Sequence, residues 1–421
     1  MDTLIIIAFV IGYFFITIEN KIHVNKAAIA ILTGVICWTI YVIQTSTGSE
    51  IVISQLVEHV GSISQIIFFL IGAMTIVELI DSYHGFDVIT KFLTTNKTVV
   101  LLWVICFITF FLSALLDNLT TTIVMITIIR KLLKNKKDLL LFVGIIVISA
   151  NAGGAWTPIG DVTTTMLWIG GQISTANIML KLFLPSLISM VVPLALISFK
   201  IKGELEKPNK IESKSKVSSS EKKVVFILGM SALIFAPIFK TITHLPPFLG
   251  ILAGLAVLWV VTELLHKNKE EENKISVSHA LQKIDTPSIL FFLGILVAVA
   301  SLESTGLLTS LAAAMNDAVG NIKIISISLG LLSAIIDNVP LVAAAMGMYD
   351  MQTYPMDHYF WELIAYCAGT GGSILIIGSA AGVAAMGLVK IDFFWYIKNI
   401  SLWALIGYFA GAFFYLFTLG F

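Results

Sequence analysis

Residues 113–125 read SALLDNLTTTIVM, a carboxylate, an amide and three threonine hydroxyls inside a run otherwise apolar from 99 to 129. An ionised carboxylate at bilayer depth costs roughly 2.5–3.5 kcal/mol on insertion scales, so a chain that retains one has a use for it. The pattern returns at 333–346 as SAIIDNVPLVAAAM. Any fold for this chain has to enclose two polar breaks within an apolar interior.

Composition fixes the setting. Hydrophobic residues make up 57% and charged residues 12%, against about 25% charged in ordinary globular chains. Apolar runs of spanning length recur throughout, which implies an all-α polytopic membrane protein. The net charge is zero, so no global field points to nucleic acid. Cys37, Cys106 and Cys367 lie in apolar segments without metal-site spacing and read as buried structural cysteines. The first nineteen residues lack a basic leader and a small-residue cleavage site, and are expected to form a retained first helix.

In order, crossings are expected over about 3–19, 27–43 and 63–80, with 44–62 as a connection and 83–97 as a short interfacial helix. A hairpin follows at 98–133, bent at Asp117, then a broken helix at 139–168 interrupted by SANAGGAWTPIGD, where two glycine pairs and Pro158 cannot continue a regular helix. A helix over 176–199 leads to a polar linker with eight lysines and four glutamates within 200–223. The second half predicts helices over 223–241, 248–265 and 287–303, an interfacial helix over 305–319, and a hairpin at 322–349. A helix over 358–388 broken at GTGGS and a closing helix over 392–419 complete it.

With the linker in the cytoplasm, 23 of 26 basic residues fall at cytoplasmic ends, leaving Lys181, Lys240 and Lys323 outside. Both termini are then extracytoplasmic, with ten full crossings and two hairpins in the inner membrane of the cell. The 28-residue second hairpin is too short for two spans of about 20 residues each, so it is expected to be re-entrant. The first hairpin, with 36 residues, is ambiguous by length and is assigned by analogy.

Asp117 to Asp337 is an offset of 220, Gly153–Gly154 to Gly371–Gly372 is 218, and Phe68–Phe69–Leu70 to Phe291–Phe292–Leu293 is 223. The near-constant offset implies duplication: a repeat at 1–200, a cytoplasmic linker at 201–222 and a second repeat at 223–421. Each repeat has five crossings, one of them broken, and one hairpin. Five is odd, so the repeats should be inverted, and inverted repeats with broken helices mark secondary transporters.

The chemistry concentrates at the breaks. Asp117, Asn118 and Thr120 to Thr122 supply oxygens beside freed backbone carbonyls, a set suited to a small hard cation. The second break adds Asn151, Thr157, Asp161, Thr163 and Thr164; its counterpart offers Thr370, Ser373 and Ser379 but no carboxylate. The halves are therefore chemically unequal. Glu78, Asp81, Glu303 and His84 read as interfacial residues. No Walker loop is present, which argues against an ATP-driven pump in this chain.

SALLDNLTTTIVM, SANAGGAWTPIGDVTTTMLW and SAIIDNVPLVAAAM resemble the NhaD-type sodium/proton antiporters of the ion transporter superfamily. The resemblance runs through the chain in order. Arsenite-transporter-like members carry GDPPN where this sequence has Gly160–Asp161–Val162–Thr163–Thr164, and dicarboxylate carriers use Ser-Asn-Thr motifs where it has Asp117–Asn118–Leu119–Thr120. The resemblance implies a homodimer and an elevator-like motion of a hairpin-containing core. Its functional positions fall on Asp117, Asn118, Asn151, Asp161, Thr163, Thr164, Asp337 and Asn338, with Ser373 the first choice and Ser379 the second in the later break.

The expectation is therefore a Na+(Li+)/H+ antiporter, not an enzyme, without cofactors beyond its transported ions. Na+ would bind at Asp117, Asp337 and Asp161, with the amides, Thr120 and Thr157 completing the site. An anion carrier for dicarboxylate or arsenite is the alternative. An intramembrane protease would require facing aspartates in GxGD and YD motifs; Ile159–Gly160–Asp161 is present, but Tyr349–Asp350 lies beyond the hairpin.

Overall fold

The computed structural model describes residues 2–45, 48–90, 93, 95, 97–133, 135–199, 217–265 and 275–419. The first half comprises α1 (Asp2–Thr17), α2 (Glu19–Ile22), α3 (Lys26–Gln44), α4 (Ser49–Ser82), α5 (Asp87–Thr90), α6 (Thr98–Leu116), α7 (Asn118–Leu132), α8 (Lys136–Gly154), α9 (Val162–Ile169) and α10 (Thr175–Ser198). The second comprises α11 (Ser219–Thr243), α12 (Pro247–Leu265), α13 (Val277–Lys283), α14 (Thr286–Ser304), α15 (Leu307–Val319), α16 (Ile322–Leu332), α17 (Asn338–Met348), α18 (Tyr359–Gly371) and α19 (Ala380–Val389). It closes with α20 (Phe393–Tyr396), a π-helical segment (Ile397–Ser401) and α21 (Leu402–Thr418). Most of the expected linker, 200–216, and residues 266–274 of the charged loop lie outside the described residues.

No strand occurs among the described residues, and nine stretches are long and apolar enough to cross a membrane. They are α3, α4, α6, α8, α10, α11, α12, α14 and the stretch Phe393–Thr418. The protein is an all-helical, multi-pass membrane protein. Its nine differ from the ten expected crossings because α1 has 16 residues and α18–α19 is interrupted, while α6, expected as a hairpin arm, has spanning length.

Elsewhere the sequence expectation needs correction. Residues 44–62 are not a simple connection: Gly48 turns the chain at φ 93° and α4 then runs unbroken for 34 residues. At about 1.5 Å per residue it is longer than the roughly 30 Å hydrocarbon core, so its first turns extend past the apolar layer. Those turns pack on neighbours, His59 with Ser304 Oγ at 3.0 Å and Gln55 accepting from the Tyr41 hydroxyl at 3.0 Å. Of the helix expected over 83–97, the described residues show the short turn α5, with 91, 92, 94 and 96 outside them, and the closing helix carries the π segment.

Packing follows one scheme in both halves. α1 lies on α3 and α11 on α12; α6 lies on α8 and α16 on α18; α7 meets α19 and α9 meets α17. α3 runs parallel to α14, with Lys26 over the Phe291 ring, Trp38 donating to the Val297 carbonyl and the Tyr41 hydroxyl to that of Ser304. α4 and α12 are also parallel, Phe68 against Phe248 and Gly72 against Ile251. α10 and α21 are antiparallel, with Gly407 against Ser189 and Pro193, and Gly411 against Pro185.

The two broken helices are buried where they approach their breaks. All residues from Phe142 to Gly154 in α8 and from Phe360 to Gly371 in α18 are buried. Ser113 Oγ donates to the Ala150 carbonyl at 2.6 Å, and Ser333 Oγ to the Ala368 carbonyl at 2.8 Å. A Cβ on Gly153 would come within 2.2 Å of the Phe110 carbonyl oxygen, and one on Gly371 within 2.1 Å of the Gly330 carbonyl oxygen. Backbone therefore packs on backbone at both crossings.

Candidate functional site

Four helices begin at the breaks, and the residue capping each is polar: Asp117 for α7, Asp161 for α9, Asp337 for α17 and Ser379 for α19. Asp and Ser are preferred N-caps because their oxygens satisfy otherwise unpaired N–H groups, and a helix N-terminus also favours negative charge. Here the caps accept from Thr120 N at 2.8 Å, Thr163 N at 2.9 Å, Val339 N at 3.4 Å and Gly382 N at 3.3 Å. Capping accounts for the residue types locally. It does not account for two of these carboxylates, Asp117 and Asp161, lining one cavity inside an apolar fold.

Asp161, 1% exposed, is the hub. Its carboxylate accepts Asn118 Nδ2 at 2.6 Å, Thr163 Oγ1 at 2.9 Å and, from the other hairpin, Asn338 Nδ2 at 3.4 Å to either oxygen. Asn118 Nδ2 also donates to Asn151 Oδ1 at 3.0 Å, and Asn151 Nδ2 donates to Ser373 Oγ and Ser379 Oγ at 2.9 Å each. Seven of the sequence-predicted residues thus form one network joining α8 to the starts of α7, α9, α17 and α19: Asn118, Asn151, Asp161, Thr163, Asn338, Ser373 and Ser379. Every link is buried, where a fully satisfied polar network rigidifies its surroundings.

Asp117 and Asp337 stand apart from that network. Asp117 adopts φ 85° and ψ 159°, a conformation costly for a residue with a Cβ, and its second carboxylate oxygen accepts Thr120 Oγ1 at 2.8 Å. Asp337 has ordinary backbone angles and pairs with Lys26 Nζ at 3.2 Å. Thr157 and Thr164 donate their hydroxyls to the backbone carbonyls of Ala114 at 2.6 Å and Asp161 at 2.9 Å. The buried hydroxyls of Thr121 and Thr122 have no partner among the described residues.

Asp117 and Asp161 line one small cavity of about 20 Å3, walled by α4 residues Phe69, Leu70, Ala73 and Met74 and by Leu233 of α11. That is room for about one water-sized particle. The two carboxylates lie close enough to repel one another when both are ionised, and Asp337 lies close enough to act on Asp161 in the same way. Among the described residues no three His, Cys, Asp or Glu side chains gather around one point as a resident metal site requires. Two carboxylates on the wall of a water-sized cavity are the kind of hard-oxygen ligand that small cations take.

Two contacts of buried or half-buried charges are not apparent from the sequence pattern. Lys26 opens α3 and reads as an interfacial lysine; its partner is 311 positions away. Glu362 is 3% exposed, with Asn177 Nδ2 donating to it at 2.5 Å and the Tyr415 hydroxyl donating to its other oxygen. The sequence does carry its signal, a carboxylate within the apolar run YFWELIAYCAG just before the GTGGS break.

An all-helical membrane protein with paired helix breaks around buried carboxylates has the makings of an ion transporter, and comparison with known proteins bears on which kind. Residues 13–363 match the CitMHS family, described as citrate transporter. The chain is 50% identical to sodium/proton antiporter 1 of Arabidopsis thaliana over 412 residues, 97% of this chain and 71% of that relative. Sodium/proton antiporter 2 of Arabidopsis thaliana is 48% identical, with 97% of each chain covered. The Na+/H+ antiporter NhaD of Vibrio cholerae is 31% identical over 415 residues, 91% of this chain and 84% of that relative. The chain belongs to this family of NhaD-type sodium/proton antiporters within the ion transporter superfamily.

Proposed function

We propose that the protein exchanges Na+, or Li+, for H+ across the membrane. Its relatives bear antiporter names, and the observation that carries the reading is the pair Asp117 and Asp161 on the walls of one ion-sized cavity. A buried carboxylate holds either a proton or a cation. Competition for the same oxygens couples the two ions without a further device. Asn118 and Asn338 hold the Asp161 carboxylate in place, and Asn151 ties it to Ser373 and Ser379. The ions are cargo, and the scheme needs no resident cofactor.

Transport also requires access from both sides. We read 1–200 and 223–421 as inverted repeats separated by the linker 201–222. The antiparallel packing of α10 on α21 and the parallel packing of α3 on α14 support inversion. In this reading the hairpins and broken helices move as a unit against α1, α3, α4, α11, α12 and α14, exposing the cavity to each face in turn. The scaffold of a homodimer would hold those outer helices still.

The family description favours a second reading, transport of citrate or a related anion. The site's charge opposes it: Asp117, Asp161 and Asp337 repel a polyanion, and Lys26 is already paired. Everted vesicles with a ΔpH dye decide between them. A Na+-elicited ΔpH change that Asp161→Asn abolishes is expected; a response that needs citrate and ignores Na+ would overturn the antiport reading.

A further inference from the structure

The two hairpin tips share one plan but satisfy their aspartates differently. At the first tip Thr120 supplies both a backbone N–H and a hydroxyl to Asp117, at 2.8 Å each. The 220-residue offset puts Pro340 at the matching position of the second tip, and proline offers neither group. Val339 N at 3.4 Å is the hairpin's own contribution to Asp337. The missing partner comes from another helix: Lys26, in the first turn of α3, reaches Asp337 Oδ2 at 3.2 Å.

The pair is built into its surroundings. The side chains of Lys26 and Asp337 are 21% and 13% exposed, and the ammonium lies 4.2 Å from the centre of the Phe291 ring on α14. Tyr13 of α1 lies beside Asp337, bonded at its backbone and near its carboxylate, and Asp161, the cap of α9, is close enough to repel that carboxylate when both are ionised. The Glu19 carboxylate accepts the backbone N–H of Lys26 at 3.0 Å, fixing the start of α3. A partly desolvated ion pair of this kind interacts more strongly than a surface pair.

The geometry points to Lys26 as a tethered cation that neutralises Asp337 and so weakens, by charge, the hold of the neighbouring Asp161 site on Na+. The inference rests on the antiport reading. With Lys26 in place, Asp337 is neutralised by the protein itself, and its charge is withheld from the cation at Asp161. The pair also fastens the tip of the α16–α17 hairpin to α3. Lys26 is thus a residue that sets ion affinity by charge, acting through Asp337 and not by touching the ion.

The test measures the Na+ concentration dependence of the ΔpH response in everted vesicles, with protein levels followed by a fluorescent tag. Lys26→Gln should lower the apparent KM for Na+ roughly fivefold or more without lowering the maximal rate, as removal of a competing charge at a coupled site does. Lys26→Arg should behave as the unaltered protein, and Lys26→Gln should have no further effect in an Asp337→Asn background. Three results would overturn the inference: an unchanged KM in Lys26→Gln, an equal shift in the Asp337→Asn background, or a Lys26→Gln protein that fails to accumulate while the double variant accumulates. The last would make the pair structural. Absence of any Na+ response in the unaltered protein would instead remove the antiport reading itself.

Discussion

Asn118 donates to Asp161 at 2.6 Å, joining the start of α7 to the start of α9 across 43 positions. The contact makes Asp161 the meeting point of the site, because the same carboxylate also takes Asn338 from the opposite hairpin. Asp161→Asn is therefore expected to abolish Na+-dependent proton movement, while Asn118→Ala keeps the charge but loses its orientation. A hydrogen bond to a charged group is worth about 1.5–3 kcal/mol, so Asn118→Ala should weaken apparent Na+ affinity at least about tenfold. Concentration-response curves in everted vesicles check both.

Competition between proton and Na+ gives a pH signature. As pH falls, protons occupy the Asp117 and Asp161 oxygens and the apparent KM for Na+ should rise. The slope should approach about tenfold per pH unit where one proton leaves for each Na+ bound. A KM independent of pH across the active range would count against shared ligands.

Thr120 holds Asp117 through its hydroxyl at 2.8 Å. Thr120→Val keeps the shape and the backbone N–H but removes that donor, leaving the ionised carboxylate less well held. The expected outcome is a Na+ KM raised roughly tenfold at constant pH, with Thr120→Ser close to the unaltered protein.

The glycines at the helix crossings make a separate prediction about stability. A Cβ at Gly153 or Gly371 would lie 2.2 Å or 2.1 Å from a backbone carbonyl oxygen, and backbone cannot step aside as a side chain can. Gly153→Ala and Gly371→Ala should each cost at least about 1–3 kcal/mol, read as a lowered Tm in detergent. Gly387, which has nothing within 4 Å of the added atom, is the control.

Glu362 joins α18 to α10 through Asn177 and to α21 through Tyr415. Glu362→Gln removes a charged acceptor from both donors and should lower Tm while leaving the Na+ KM within about twofold, since none of these three residues borders the cavity between Asp117 and Asp161. A shift in Na+ affinity as large as that of Asn118→Ala would bring Glu362 into the ion site.

The positions of the helix breaks, at Asp117, Gly154–Asp161, Asp337 and Gly371–Ser379, were legible because polar residues and glycine pairs interrupt long apolar runs, and interruptions at a constant offset stand out. The seven networked residues were legible for the same reason. The length of α4 was not: Glu50 and Glu58 resemble a connection, yet helical geometry carries them beyond the apolar layer. Nor could sequence rank the aspartates. Asp117 stands out in the linear pattern, but the hub is Asp161, because α9 starts where both hairpins can reach it. Lys26 was legible only as a positive charge at a helix end.

The Lys26–Asp337 pair has an electrical consequence. Lys26 belongs to α3 and Asp337 to the tip of the second hairpin, so displacement of that tip along the membrane normal separates two opposite charges. A carboxylate crossing the full membrane potential alone exchanges about 2.3 kcal/mol with it per 100 mV. A tip that leaves its lysine behind travels with one more negative charge unless a cation or proton boards. In the proposed motion membrane voltage then acts on the empty and the loaded protein differently, because the charge carried by the tip differs between them.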